Sequence, residues 1–189
     1  MVKLKHLSLS LSAIFLIGAF HVINTAPASA GLEEIKEAIV GVIRRPNVKL
    51  SLTVYRQNIQ RLKNGRKALV WQKLPNNTKV IPGNILRYTV VGRNDGKAEA
   101  KNLIITQPID SQTVYKAGSA KSNINAEVSY SVNNGKSFDR NPKIEVKLAD
   151  GSVVKRQASP QDYTHIRWKF NESIAPNKQV KATYLAEVR

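Results

Sequence analysis

Short alternating runs of apolar and polar residues fill this chain from Asn47 to its end, with small turn residues between them. The clearest run lies within residues 82–120, where Leu86, Tyr88 and Val90 alternate with more polar neighbours. A period of two places such residues on one face of a β-strand. Because the runs alternate instead of being continuously apolar, we expect antiparallel sheets, each with one solvated face.

Dipeptides typical of tight turns separate these runs and favour hairpins, in which two antiparallel strands are joined by a short loop. Asn64-Gly65 and Asp150-Gly151 each separate two alternating runs, and both pairs suit tight hairpin turns. We expect Asn94-Asp95-Gly96 to reverse the chain in the same way, so that the next run pairs back on the strand before it. Roughly eight to ten such strands predict an all-β antiparallel sandwich over residues 47–189, with Tyr88 and Trp168 on opposing halves of its core.

The first thirty residues have the pattern of a secretory signal peptide. Lys3 and Lys5 precede an apolar run from Leu7 to Phe20, and small residues end the segment at Ala30, before Gly31. A positive start, an apolar stretch of about 7–15 residues and a small-residue end are typical of such signals. A membrane span needs about 20 apolar residues, so we expect export with cleavage between Ala30 and Gly31 and no transmembrane span in the mature chain.

Residues 31–46 predict a short helix and linker ahead of the strands. Apolar residues recur at helical spacing from Leu32 to Val42, acidic residues stand near the start, and Pro46 ends the segment. Such a helix could pack against the sandwich, or it could dock on a membrane or a partner. Because its polar face is acidic, which suits an anionic membrane poorly, packing is the preferred interpretation.

Residue types needed for most enzymatic and metal chemistry are scarce. The chain has no cysteine, and once residues 1–30 are removed His165 is the only histidine left. A catalytic triad needs a positioned base, and a zinc site needs three or four nitrogen or sulfur ligands. We therefore expect no catalytic residues, no metal site and no cofactor, and no enzymatic activity.

Positive charge is the strongest bulk feature of the sequence. The chain has a formal net charge of +17, and loss of Lys3 and Lys5 with the signal peptide leaves +15. No Asp or Glu occurs from Ala38 to Asn94, where twelve Lys and Arg residues fall. The densest group flanks the Asn64-Gly65 turn and is predicted as a basic patch for an anion or a partner: Arg61, Lys63, Arg66 and Lys67. The alternative is a solvated face whose charges discourage pairing of strand edges.

Several motifs together resemble a known bacterial family, the conserved repeat domain called domain of unknown function eleven. The motifs of the first half are Pro82-Gly83, Leu86 to Val90, Asn94-Asp95-Gly96, Asn102 to Ile105 and Gly118-Ser119. The closing segment of that family is similar to Ile166-Arg167-Trp168, Ile174-Ala175-Pro176 and Val180 to Tyr184. The resemblance covers residues 74–189 and suggests a single-copy, exported member of cyanobacterial type.

This resemblance implies an immunoglobulin-like sandwich on an exported or surface protein, with no established activity. Family members usually carry tandem copies, and this chain has one copy, so a repetitive adhesin stalk is not expected. The family often has an acidic residue before its proline turn, whereas Gln107 precedes Pro108 here. A calcium role at that position is therefore not expected.

Taken together, these features favour an exported, non-enzymatic interaction module in the periplasm or at the cell surface. Its expected partner is an anionic envelope polysaccharide or an envelope protein, bound through the basic half of the chain. A passive structural subunit that assembles through strand edges is the alternative. Nucleic acid is not expected as partner, because binding it would need aromatic platforms among the basic residues, and only Tyr55 and Trp71 lie near the cluster.

Overall fold

The computed structural model describes residues 5–6, 45–76 and 78–189. Thirteen strands and one 3₁₀ turn, Pro160–Asp162, occur in these ranges. The strands are β1 (Lys5–His6), β2 (Val48–Arg61), β3 (Lys67–Lys73), β4 (Lys79–Val80), β5 (Ile85–Asn94), β6 (Ile104–Pro108), β7 (Thr113–Tyr115), β8 (Lys121–Ser122), β9 (Ala126–Ser131), β10 (Lys143–Lys147), β11 (Val153–Gln157), β12 (His165–Phe170) and β13 (Gln179–Val188). Within the described ranges, no helix has the length and apolar character needed to cross a membrane.

Two antiparallel sheets contain nine of the thirteen described strands. The large sheet has the order β3-β2-β5-β13-β7, and β8 also pairs with β13. The small sheet has the order β6-β12-β9, while β10-β11 and β1-β4 are separate two-stranded pairs. The prediction of an all-β protein with antiparallel sheets is confirmed, although the strands outnumber the eight to ten expected.

The central strands show why the alternating pattern produces this sheet. In β5, the side chains of Leu86, Tyr88 and Val90 are buried, whereas the residues between them face outward. On β13, Tyr184 lies directly opposite Tyr88, and the two rings stack with centroids 4.7 Å apart. Period-two burial therefore places the aromatic rings of both strands on the same side of the sheet.

The core lies between the inner faces of the two sheets, in a sandwich-like arrangement. Trp168 on β12 of the small sheet is fully buried, and its ring centroid lies 6.2 Å from that of Tyr184 on the large sheet. The prediction that the Tyr88 and Trp168 faces oppose each other is confirmed. Burial of these large rings, together with the aliphatic side chains around them, stabilises the packing of the two sheets.

Two of the predicted hairpins are confirmed and one is wrong. Asn64-Gly65 connects β2 to β3, and Asp150-Gly151 connects β10 to β11. Asn94-Asp95-Gly96 does not form a hairpin, because β5 already pairs with β2 on one side and β13 on the other. The chain instead crosses to the small sheet, where β6 pairs with β12.

Asn94 holds this crossover through its buried side-chain amide. Its Oδ1 accepts hydrogen bonds from the backbone N–H groups of Asn47 at 3.1 Å and Gly96 at 3.0 Å. Its Nδ2 donates to the carbonyls of Ala98 at 2.7 Å and Ile174 at 2.8 Å. The four bonds join the start of β2, the crossover and the segment before β13.

Close backbone contact explains the glycine in this crossover. A Cβ atom at Gly96 would clash with the backbone of Arg45 and Asn47, which runs alongside it. This approach lets the N–H of Asp95 donate to the carbonyl of Asn47 at 2.8 Å. Glycine is therefore needed here for close approach and not for a hairpin turn.

The predicted signal peptide and helix fall almost entirely on residues outside the described ranges. Ala30 and Gly31, the predicted cleavage site, are among these, and so is the helix up to residue 44. Lys5 and His6 form β1 and pair antiparallel with Val80 and Lys79.

Candidate functional site

The four residues of the predicted basic patch come together at the tip of the β2–β3 hairpin. Arg61 lies directly opposite Lys67, and Lys63 and Arg66 occupy the loop between the strands. All four are exposed, and none forms an ion pair with an acidic side chain in the part of the chain that the structure describes. We call Arg61, Lys63, Arg66 and Lys67 the tip cluster.

Local turn chemistry fixes the tip. Gly65 has a φ of +78°, in the left-handed region that glycine adopts freely. Its N–H donates to the carbonyl of Leu62 at 3.0 Å, and the Arg66 N–H donates to Asn64 Oδ1 at 3.1 Å. The Asn-Gly pair therefore sets the loop that places the cations around it.

The end of this hairpin is held by pairing within the hairpin alone. β2 pairs with β5 only from Val48 to Arg56, and its residues 57–61 pair with β3. Ile59 and Leu69 lie opposite each other here and are 69% and 64% exposed. Large aliphatic side chains beside four cations form a surface that a partner could cover.

The tip cluster continues onto the outward face of the large sheet. Tyr55, Arg87 and Leu185 lie in one row across β2, β5 and β13, and Thr53, Thr89 and Thr183 form the next row. We call this outward face, together with the tip cluster, the basic face. Its cations beyond the tip are Lys49, Lys73, Arg87, Arg93, Lys116, Lys121 and Lys181.

Arg87 is positioned on this face by two aromatic rings. Its guanidinium carbon lies 4.7 Å from the ring centroid of Tyr55 and 4.5 Å from that of Trp71. These distances are typical of cation–π contacts, which hold a guanidinium in a defined plane. Trp71 is thus a half-buried support for Arg87.

Two carboxylates neutralise part of the basic face. Asp95 pairs with Lys49 at 3.2 Å and Arg93 at 2.8 Å, and the hydrogen bond from Lys49 is the main cause that lowers the pKa of Asp95. Glu187 pairs with Lys116 at 3.2 Å. Within the described ranges, Arg87, Lys121, Lys181 and the tip cluster have no such acidic partner.

A groove of about 600 Å³ lies on the basic face, between the sheet and the loop from Lys116 to Lys121. Its lining residues include Tyr55, Arg87, Thr89, Lys121, Lys181 and Thr183. Sequence reasoning missed this groove, because β8 and the loop before it reach β13 only through tertiary pairing. The weak signal in the sequence was two lysines on either side of the Gly118-Ser119 turn.

His165, the histidine considered above as a possible catalytic base, lies at the start of β12. Partial burial lowers the pKa of its imidazole, and its Nδ1 lies 3.2 Å from the hydroxyl of Thr164. The neighbouring Asp162 instead accepts hydrogen bonds from Ser159 and Arg156. In the described ranges, no group of three His, Cys, Asp or Glu side chains could hold a metal ion.

Comparison with protein-family models, curated proteins and solved structures gives no match to this chain. Interpretation of the basic face therefore depends on its own geometry and charge.

Proposed function

We propose that this protein is an exported, non-enzymatic interaction module of the cell envelope, and that its basic face contacts an anionic envelope polysaccharide or an envelope protein. The observation that carries this proposal is the tip cluster, in which four exposed cations surround one turn without an acidic partner in the described ranges. Like charges this close repel one another, which costs stability. A polyanion laid across the tip would remove that cost and gain several contacts at once.

A polysaccharide or an acidic protein surface suits the basic face better than a nucleic acid. Binding of single-stranded nucleic acid relies on aromatic rings on which bases stack. The two aromatic residues of the β2–β3 hairpin, Tyr55 and Trp71, already hold the Arg87 guanidinium. Sugar rings with carboxylate or sulfate groups need hydrogen-bond donors and positive charge, and the basic face supplies both.

The finer fold assignment and the cellular location belong to the same proposal. We propose an immunoglobulin-like order for the sandwich, supported by the crossovers between the sheets after β5, β6, β8 and β12. The resemblance to the bacterial conserved repeat domain supports this, and the signal-like first thirty residues support export. If export is correct, the mass of the protein recovered outside the cytoplasm corresponds to a chain that begins at Gly31.

Replacing all four tip-cluster residues by serine should weaken binding to an anionic polysaccharide strongly. On a column of immobilised anionic polysaccharide, we expect the wild type to elute at clearly higher salt than this variant. The matched control carries serine at Lys101, Lys136, Lys143 and Lys147, which are exposed and lie off the basic face. This control loses the same charge and should elute close to the wild type. Elution of the control and the tip-cluster variant at the same salt concentration would refute a role for the tip cluster in binding.

Assembly through strand edges is the second candidate function, and the position of β3 favours it. β3 is the edge strand of the large sheet, and the exposed Leu69 belongs to it. Exposed edges are templates for pairing with another chain, although lysines such as Lys67 and Lys73 oppose this. Light scattering over a concentration series tests assembly, and a strict monomer at every concentration rules it out.

A further inference from the structure

We propose that the groove beneath the Lys116–Lys121 loop is a binding subsite for a short anionic saccharide segment, one to a few sugar units long. This inference rests on the proposed function and deepens it by naming a ligand class and a second set of residues. The tip cluster is exposed and can attract a polyanion, but in the described part of the chain its four residues do not line this groove. The groove is concave, and its volume of about 600 Å³ lies in the range of small-ligand sites.

The floor of the groove is built from rigid sheet. Thr89 and Thr183 lie opposite each other on β5 and β13, in the middle of the outward face. Each hydroxyl can donate one hydrogen bond and accept others, which suits sugar hydroxyl groups. Strand residues hold such donors in place better than loop residues would.

Two lysines border this floor on the side of β13. Lys121 on β8 lies directly opposite Thr183, and Lys181 is two residues from Thr183 on the same face of β13. Neither lysine pairs with a carboxylate in the part of the chain that the structure describes. Two neighbouring ammonium groups repel each other unless an anion lies between them.

Arg87 and Tyr55 border the other side. The cation–π contacts with Tyr55 and Trp71 hold the guanidinium before any ligand arrives, so little side-chain entropy is lost on binding. A guanidinium fork binds carboxylate and sulfate oxygens in pairs. The groove thus offers cations at both sides of a hydroxyl-lined floor, which matches a sugar segment with anionic groups at two positions.

The groove and the tip cluster lie on one path along the same face. Tyr55 at the groove and Arg61 at the tip are six residues apart on β2, which corresponds to about 20 Å along a strand. A flexible polyanion of a few further units could engage both. Two linked contacts bind far more tightly than either alone, since the second becomes intramolecular.

Isothermal titration calorimetry with a sulfated tetrasaccharide, and with the unsulfated tetrasaccharide of the same linkage, tests the groove. We expect the wild type to bind the sulfated probe and not the neutral one. The double variant Lys121→Gln/Lys181→Gln should bind it about tenfold more weakly, since two charge-assisted contacts are lost. The variant Thr183→Tyr, which fills the groove without changing the charge, should weaken binding to a similar extent.

The matched control is Lys143→Gln/Lys147→Gln on β10, which loses the same charge at exposed positions outside the groove. It should bind the tetrasaccharide within about twofold of the wild type. Equal weakening in the control and in the groove variant would overturn the subsite, and so would full binding by Thr183→Tyr. If the groove variants have no effect but the tip variant still elutes early from the polysaccharide column, the subsite fails and the proposed function stands.

Discussion

Replacing Asn94 by alanine should lower the free energy of unfolding by about 3–5 kcal/mol. The side chain is fully buried, and it satisfies two backbone N–H groups and two carbonyls at distances of 2.7 to 3.1 Å. Alanine leaves both N–H groups and the Ala98 carbonyl without a partner, whereas the Ile174 carbonyl keeps the hydrogen bond from the Ala100 N–H at 2.9 Å. Each buried unpaired polar group costs about 1–3 kcal/mol, and water that reaches the site offsets part of that cost. Urea unfolding of the wild type and the variant measures the difference, provided that the dependence of the unfolding free energy on urea concentration is the same in both proteins.

Two further variants separate the hydrogen bonds of Asn94 from loss of side-chain volume. Asn94→Asp keeps the shape and both acceptor contacts but cannot donate to the carbonyls of Ala98 and Ile174. It should therefore be nearly as unstable as Asn94→Ala at neutral pH. Asn141→Ala, at an exposed position, should change the stability by less than about 0.5 kcal/mol. A loss below about 1 kcal/mol in Asn94→Ala would contradict the role of this amide in joining the start of β2, the crossover and the segment before β13.

Alkaline pH should unfold this protein cooperatively, with stability falling above about pH 10. Burial is the main cause that raises the pKa of both Tyr88 and Tyr184 above the ordinary value of 10.0. Above that value the unfolded chain releases protons that the native state keeps, so the stability present at lower pH is lost as pH rises. Each tyrosine that stays protonated in the native state contributes a slope of about 1.4 kcal/mol per pH unit, and the two together about 2.7.

Urea unfolding at a series of pH values from 8 to 11.5 measures this slope, and tyrosinate absorbance reports the ionisation. We expect the buried tyrosines to ionise in the same step as the loss of the fold. In Tyr184→Phe the dependence of the unfolding free energy on pH should fall by about 1.4 kcal/mol per pH unit. Lysines also lose protons in this range, but they do so equally in both proteins, so the difference reports Tyr184. Ionisation of all the tyrosines near pH 10 in a protein that remains folded would contradict the burial of these rings.

The strands could be predicted because the alternation of apolar and polar residues along a few positions shows which side chains one face of a strand buries. Leu86, Tyr88 and Val90 alternate with polar residues, and a strand with one buried face needs that alternation. The tip cluster could also be predicted, since Asn64-Gly65 fixes a short loop and the cations flank it in sequence. Both features depend on neighbours within a few residues.

The crossover at Asn94 and the groove could not be predicted, because they depend on distant parts of the chain. Asn94-Asp95-Gly96 has the composition of a hairpin turn, but a hairpin also needs a free strand edge beside β5. That edge is taken by β13, which comes some eighty residues later and whose approach brings the Ile174 carbonyl to the Asn94 amide. The groove likewise exists only once β8 has paired with β13.

The most direct test of the proposed function is the salt dependence of binding to a long anionic polysaccharide. The logarithm of the binding constant should fall linearly with the logarithm of the salt concentration, with a slope set by the number of cations in contact. If the tip cluster makes four such contacts, its serine variant should show a slope smaller by about 3 than the wild type, and the control variant an unchanged slope. The same slope in all three proteins would show that the tip does not touch the polymer and would contradict the proposed function.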